Sequence, residues 1–170
     1  MSTTKRLKAN IMANHNLVLS IGSNLENKKA NLKRACEILE RTFTLVESSK
    51  IYESKAVDFP DQPDFCNQMI HFQAPERYSP MQLLAVCMSA EKEMGRVKSI
   101  EKGPRIIDID IIFLDEQIIQ IPRLQIPHPR WKDRSFVVKP LKELAIWKKI
   151  RRNFPLPSKI EFQIDAFPIK

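Results

Sequence analysis

Apolar and polar positions change their spacing several times along this chain, and each change predicts an element. LVLSI (17–21) is a short β run closed by Gly22, after which Leu25, Leu32, Cys36, Leu39 and Phe43 share one face of a helix that Asn24 is placed to cap. Residues 44–54 and 65–74 read as two strands, separated by DFPDQPD, whose two prolines cannot continue a central ladder. SPMQ (79–82) opens a second helix, with Ser79 as N-cap, Pro80 in the first position and Gln82 placed for a capping box. Leu83, Leu84, Cys87, Ala90 and Met94 form its apolar face, and Gly95 ends it. An isoleucine-rich strand and, after a loop, a short helix from about Phe136 complete the order. The order βαββαβ predicts an α+β domain, an antiparallel sheet with helices on one face, followed by a C-terminal helix and extension.

The isoleucine-rich run, 106–114, has seven apolar residues in nine and two acids one residue apart. In a strand, Asp108 and Asp110 share a face, about 6 to 7 Å apart at their Cβ atoms, with Ile107, Ile109 and Ile111 opposite. Two carboxylates roughly 5 Å apart at an effective dielectric near 20 repel by about 3 kcal/mol, which predicts a positive charge between them. Arg96, Lys98, Lys102 and Arg105 lie upstream, and Arg123, His128, Arg130, Lys132 and Arg134 downstream. Two readings follow. The pair is a solvated strand face neutralised by these cations, or it holds magnesium that carries a polyphosphate whose oxygens the cations bind. A second pattern lies in DQPDFCN, where Phe65 and Asn67 share a strand face and bring together a ring to stack and an amide to read a heterocycle's edge.

Composition narrows the class. At 170 residues and 43% hydrophobic, the chain suits one domain with its own core. No apolar stretch is long enough to span a membrane, and MSTTKRLKANIMANHN lacks the apolar centre of a secretory signal, so a cytoplasmic, monomeric protein without membrane contact is expected. Cys36, Cys66 and Cys87 sit in apolar patterns and read as small core residues. The net charge of +8 comes from the ends: +3 in residues 1–16 and +5 in residues 139–170, while 17–138 nets to zero. That distribution argues against a nucleic-acid-binding stripe and predicts a basic N-terminal extension (1–16) and a basic C-terminal end.

LSIGSNL, DQPDFCNQ, EKEMGRV, GPRIIDIDIIF and IPHPRWKDRSFVVKPLKELA, in this order and spacing, resemble the 6-hydroxymethyl-7,8-dihydropterin pyrophosphokinase family of folate biosynthesis, over about residues 17–146. The resemblance implies a central domain over 17–146 followed by a basic C-terminal extension (147–170), a ferredoxin-like fold, and transfer of the β,γ-diphosphate of ATP to the pterin's hydroxymethyl group, releasing AMP. It implies that Asp108 and Asp110 bind two Mg2+ ions, that Arg96 and Arg105 hold phosphates during catalysis, and that Glu91, Lys98, Arg123, His128 and Arg134 contact the nucleotide. Phe65 and Phe136 would stack on the pterin, Asn67 would read its edge, and Ser54 and Val57 would supply loop contacts. The chain departs from the family at Ser54, Ala56 and Asp58, where Thr, Pro and Gly are usual, at Lys102 in place of a tryptophan, at Met88 in place of a polar residue and at Pro129 in place of an aromatic. The altered loops leave open a silent relative that binds nucleotide or pterin without turnover. An RNA-binding module of the same fold would need exposed aromatics on a strand, and acids stand there instead. RVKSIEKGPR (96–105), with four cations and few apolar anchors, is expected to be a basic loop that closes on bound triphosphate.

Overall fold

A computed structural model describes residues 13–57, 61–97 and 103–170. Lys98 and Lys102 of the expected closing loop, and Asp58, lie outside the described residues.

The chain runs β1 (Asn14–Ser23), α1 (Lys28–Leu39), β2 (Thr44–Ser48), β3 (Tyr52–Ser54), β4 (Phe65–Pro75), α2 (Pro80–Glu93) and β5 (Asp108–Leu114). A hairpin of β6 (Ile119–Ile121) and β7 (Leu124–Ile126), a single 3-10 turn (Trp131–Asp133), α3 (Ser135–Leu141), α4 (Trp147–Asn153) and β8 (Ala166–Pro168) follow. The main sheet has the order β5-β1-β4-β3-β8, with β2 also paired to β4, and its ladders are antiparallel.

Alternation along β1 sorts its side chains to two faces. Leu17, Leu19 and Ile21 join a core with Leu32, Ala35 and Leu39 of α1 and Leu83, Cys87 and Ala90 of α2. Val18 points the other way, where Met69 and Ile112 pack on Val137, Val138 and Leu141 of α3 and Ile150 of α4. Helices therefore cover both faces, where the sequence predicts one, because the C-terminal third carries its own apolar surface. Each fully buried Leu, Ile or Phe contributes about 1.5 to 3 kcal/mol, so both clusters stabilise the sheet.

The capping box of α2 forms as expected: Ser79 Oγ accepts from Gln82 N at 3.3 Å, and Gln82 Oε1 accepts from Ser79 N at 2.8 Å. Gly95, at φ +85°, takes the left-handed position after that helix. The cap of α1 differs. Asn27, not Asn24, accepts from Ala30 N, at 3.1 Å. β1 also takes in residues 14–16, within the expected N-terminal extension, which pair with Pro75, Ala74 and Gln73. The single strand expected over 44–54 is two: Ser49 still donates its backbone N–H to Met69 O at 2.9 Å, but Lys50 N donates to Glu143 Oε2 at 2.8 Å and Ile51 O accepts from Ile169 N at 2.9 Å, so the backbone turns to partners other than β4.

Candidate active site

On the face of the sheet away from α1 and α2, the strands are apolar at one end and polar at the other. Beyond Val18, Met69 and Ile112, the same alternation brings up Ser20 and Gly22 on β1, Asn67 and Phe65 on β4, and Asp110 and Asp108 on β5. Antiparallel register aligns them in rows: Asp108 opposite Gly22, Gly22 opposite Asn67, and Asp110 opposite Ser20. Together with Ser54, Val57, Arg105, Arg134 and Phe136, they line a cleft of about 780 Å³, counting its open mouth.

Arginines surround the acids. Arg96 Nη1 lies 2.9 Å from Asp108 Oδ1, Arg105 Nη1 3.2 Å from Asp108 Oδ2, and Arg134 Nη1 3.5 Å from Asp110 Oδ2. Burial, and then the neighbouring charge of Asp108, holds the Asp110 carboxyl above the usual carboxylate range; Arg134 opposes that shift without cancelling it. Burial and the neighbouring acid therefore make the ionised form of Asp110 costly in this site despite the guanidinium groups. A divalent cation there would favour the ionised carboxylates, and their hard oxygen donors suit magnesium. Among the described residues, no group of three or more potential ligand side chains surrounds one point. Two carboxylates fit an ion that fills its remaining positions with phosphate and water oxygens.

The aromatic end is built from both walls. Asn67, 4% exposed, donates from Nδ2 to Ser54 Oγ at 3.2 Å. The guanidinium carbons of Arg105 and Arg134 lie 5.7 and 5.6 Å from the ring centres of Phe65 and Phe136, so each aromatic is paired with an arginine that also reaches the acids. A flat heterocycle between the rings would meet the Asn67 amide on one side and cationic groups toward the acid pair.

Other expected site residues lie outside the cleft lining. Glu91 is buried beneath β5: its Oε1 accepts from Ile109 N at 2.7 Å and contacts Arg96 Nη1, which bridges Glu91 to Asp108. β5 ends the sheet, so this carboxylate satisfies a donor that no strand reaches. Burial raises the Glu91 pKa, with Arg96 opposing. His128 accepts from Arg130 N through Nδ1 at 3.1 Å and donates its backbone N–H to Ile112 O. Burial, then the charges of Arg134 and Arg130, push its imidazole down to about 4, which leaves it neutral near pH 7. Arg123 is exposed between β6 and β7, and Lys98 lies outside the described residues.

Several contributors are absent from the expected set. Ser20, Lys55, Gln62 and Arg130 line the cleft, and Gly22 leaves the space that Asn67 occupies. Asn24, 2% exposed, clamps three loops: Oδ1 accepts from Arg105 N at 2.8 Å, while Nδ2 donates to Gln62 Oε1 at 3.0 Å and Pro63 O at 3.1 Å. The alternation of Ser20 and Gly22 in LSIGS is a readable signal for the cleft face. The Asn24 clamp joins residues 38 to 81 apart and leaves no local one.

Residues 18–146 match the family model described as 7,8-dihydro-6-hydroxymethylpterin-pyrophosphokinase. The chain is 42% identical over 137 residues to the folic acid synthesis protein fol1 of Pneumocystis carinii, covering 80% of this chain but 18% of that protein. It therefore spans less than a fifth of that longer relative. It is 32% identical over 129 residues to the 2-amino-4-hydroxy-6-hydroxymethyldihydropteridine pyrophosphokinase of Bacillus subtilis, covering 75% of this chain and 76% of that one. For the Aquifex aeolicus protein of the same name the values are 36% over 126 residues, 74% and 78%. In fold, the chain resembles Plasmodium falciparum HPPK-DHPS, with a TM-score of 0.62 at 15% identity, over 80% of this chain and 40% of that one.

Proposed function

Because the chain belongs to the 7,8-dihydro-6-hydroxymethylpterin-pyrophosphokinase family, we propose that it transfers the diphosphate of ATP to 6-hydroxymethyl-7,8-dihydropterin, releasing AMP, in folate biosynthesis. The observation that carries this reading is one cleft holding Asp108 and Asp110 at its floor, Phe65, Asn67 and Phe136 at one end, and Arg105 and Arg134 between. The sheet order also supports a ferredoxin-like arrangement of the core, with the added strand β8 at its edge.

Asp108 and Asp110 would hold the magnesium, two ions in this reading, which when bound offsets charge on the polyphosphate and polarises the phosphorus to be attacked. Phe65 and Phe136 stack the pterin, and Asn67, steadied by Ser54, fixes its rotation in the cleft. Ser54 and Val57 close the wall beside it. Arg96, Arg105 and Arg134 would pair with the phosphate oxygens, Lys98, Arg123 and His128 would complete the nucleotide side, and Glu91 would serve it indirectly by holding Arg96. Catalysis then rests on alignment and charge, since the protein forms no covalent bond with either substrate. A monomeric chain in the cytoplasm completes the reading; no helix among the described residues is long and apolar enough to cross a membrane.

AMP release from ATP, magnesium and the hydroxymethyl dihydropterin, beside a control without pterin, tests the proposal. Pterin-dependent AMP is the expected result. Binding of both substrates without AMP would identify the chain as a silent relative.

A further inference from the structure

Residues 147–170 lie beyond the stretch matched to the family, yet they return to the sheet behind the aromatic wall of the cleft. β8 pairs with β3 so that Ala166, fully buried, stands opposite Ser54. Just before it, Ile164 O accepts from Ser135 Oγ at 2.6 Å. Asp165 then pairs with Lys139 at 2.5 Å, and Lys139 Nζ donates to Ala166 O at 3.0 Å. One segment is thus fastened to β3 on one side and to the first two turns of α3 on the other.

α3 needs that fastening. It has seven residues, no side-chain cap and Pro140 inside it, far short of the length at which a helix holds itself in water. Its first turn nevertheless carries Phe136, which together with Arg134 just before the helix reaches the cleft. Ser135 stands between them with its side chain turned away, fully buried on Ile164. Behind Arg134 and Phe136 lies a second cavity, about 480 Å³ counting its mouth, bounded on the far side by Glu161, Gln163 and Ile164. The wall therefore borders empty space, and the contacts of Ile164, Asp165 and Ala166 with Ser135 and Lys139 fix where it stands.

We propose that residues 161–168 form a positioning strap for the pterin end of the cleft, acting through Ser135 on Arg134 and Phe136. The proposal rests on the pyrophosphokinase reading for its substrate. Ser135 touches neither substrate; it is a positioning residue.

The test uses the full chain with Ser135→Ala and, on the accessible side of the strap, Asp165→Asn. Ser135→Ala should raise KM for the pterin roughly five- to tenfold, the equivalent of one lost buried hydrogen bond, with kcat within about twofold. Affinity for a non-hydrolysable ATP analogue with magnesium should hold, while amides of 135–139 exchange faster. Asp165→Asn should shift the same readouts in the same direction by less, because its ion pair is half exposed. Unchanged exchange and unchanged KM would overturn the strap. So would parallel losses of pterin and nucleotide affinity, which mark general destabilisation. If the wild-type chain binds pterin but releases no AMP, the functional reading fails, and pterin affinity by calorimetry takes the place of KM: a loss of the same size in Ser135→Ala supports the strap, and no loss overturns it.

Discussion

The Cβ that Gly22 lacks would stand 2.7 Å from Oδ1 of Asn67, its partner across the β1–β4 ladder. No real Cβ tolerates that approach, so Gly22→Ala must push the amide or part the strands. Overpacking of this kind costs about 1 to 3 kcal/mol. A lower thermal midpoint, and pterin affinity weakened at least about tenfold with ATP-analogue affinity held, is the expected pair of results. Undiminished pterin affinity would show that Asn67 does not read the heterocycle.

Removing the amide itself separates pocket from scaffold. Asn67→Ala should weaken pterin binding by about 1 to 3 kcal/mol, the range for a buried polar contact left unmade. Calorimetry with the ATP analogue and magnesium should show almost no change. Equal weakening of both ligands would assign Asn67 to structure alone.

For the acid pair, stability and turnover should move in opposite directions. Asp110 is held above the ordinary carboxylate range by burial and by Asp108, so its ionised form at neutral pH weighs against the folded state. Asp110→Asn removes that charge and should raise the melting midpoint measured without magnesium. AMP release should fall below about a tenth of wild type, a barrier increase of at least about 1.4 kcal/mol. A lowered midpoint, or turnover kept above that level, would contradict the assignment.

Acid should unfold the chain through a pair far from the cleft. Glu47 accepts from Ala145 N at 2.9 Å and Ile146 N at 3.1 Å and lies 3.4 Å from His71 Nδ1. Burial opposes its charge, but those partners outweigh burial and hold its pKa below 4.5. Burial also holds His71 below 6.5, against the pull of Glu47. In both cases the unfolded chain binds the proton first as pH falls. The contribution of this pair to stability should therefore be level above 6.5, decline as His71 titrates in the unfolded state, and decline further below 4.5 with Glu47; His128, also held below its ordinary value, adds to the decline, while Asp110 and Glu91, held above theirs, oppose it. Urea midpoints across this range check the slope, and Glu47→Gln should flatten its acid end. An acid slope left unchanged by Glu47→Gln would rule the mechanism out.

Legibility in the sequence follows the range of the interactions. The α2 capping box spans three residues and can be read directly, as can the shared face of Asp108 and Asp110, which strand geometry alone dictates. Asn24 is the instructive failure. Its residue type suits a helix cap, but its oxygen accepts from Arg105 N, 81 residues away, and the capping task falls to Asn27. Glu91, named in the sequence only as a nucleotide contact, is buried on the open edge of β5, a position fixed only once the strand order is known. The return of 166–168 to the sheet is invisible for the same reason: three residues carry no period, and what selects them is the unpaired edge of β3.

Asn67, Asp108 and Asp110 stand on strands whose neighbouring positions, Met69 and Ile112, are packed without exposure against α3 and α4. Moving any of these polar groups means disturbing apolar packing a few residues along the same strand. An inhibitor anchored on Asn67 and the acid pair would therefore leave the chain few stable routes of escape at those contacts. Resistance would have to arise in the loops, around Val57 and Gln62, where a side chain can change without unseating a strand.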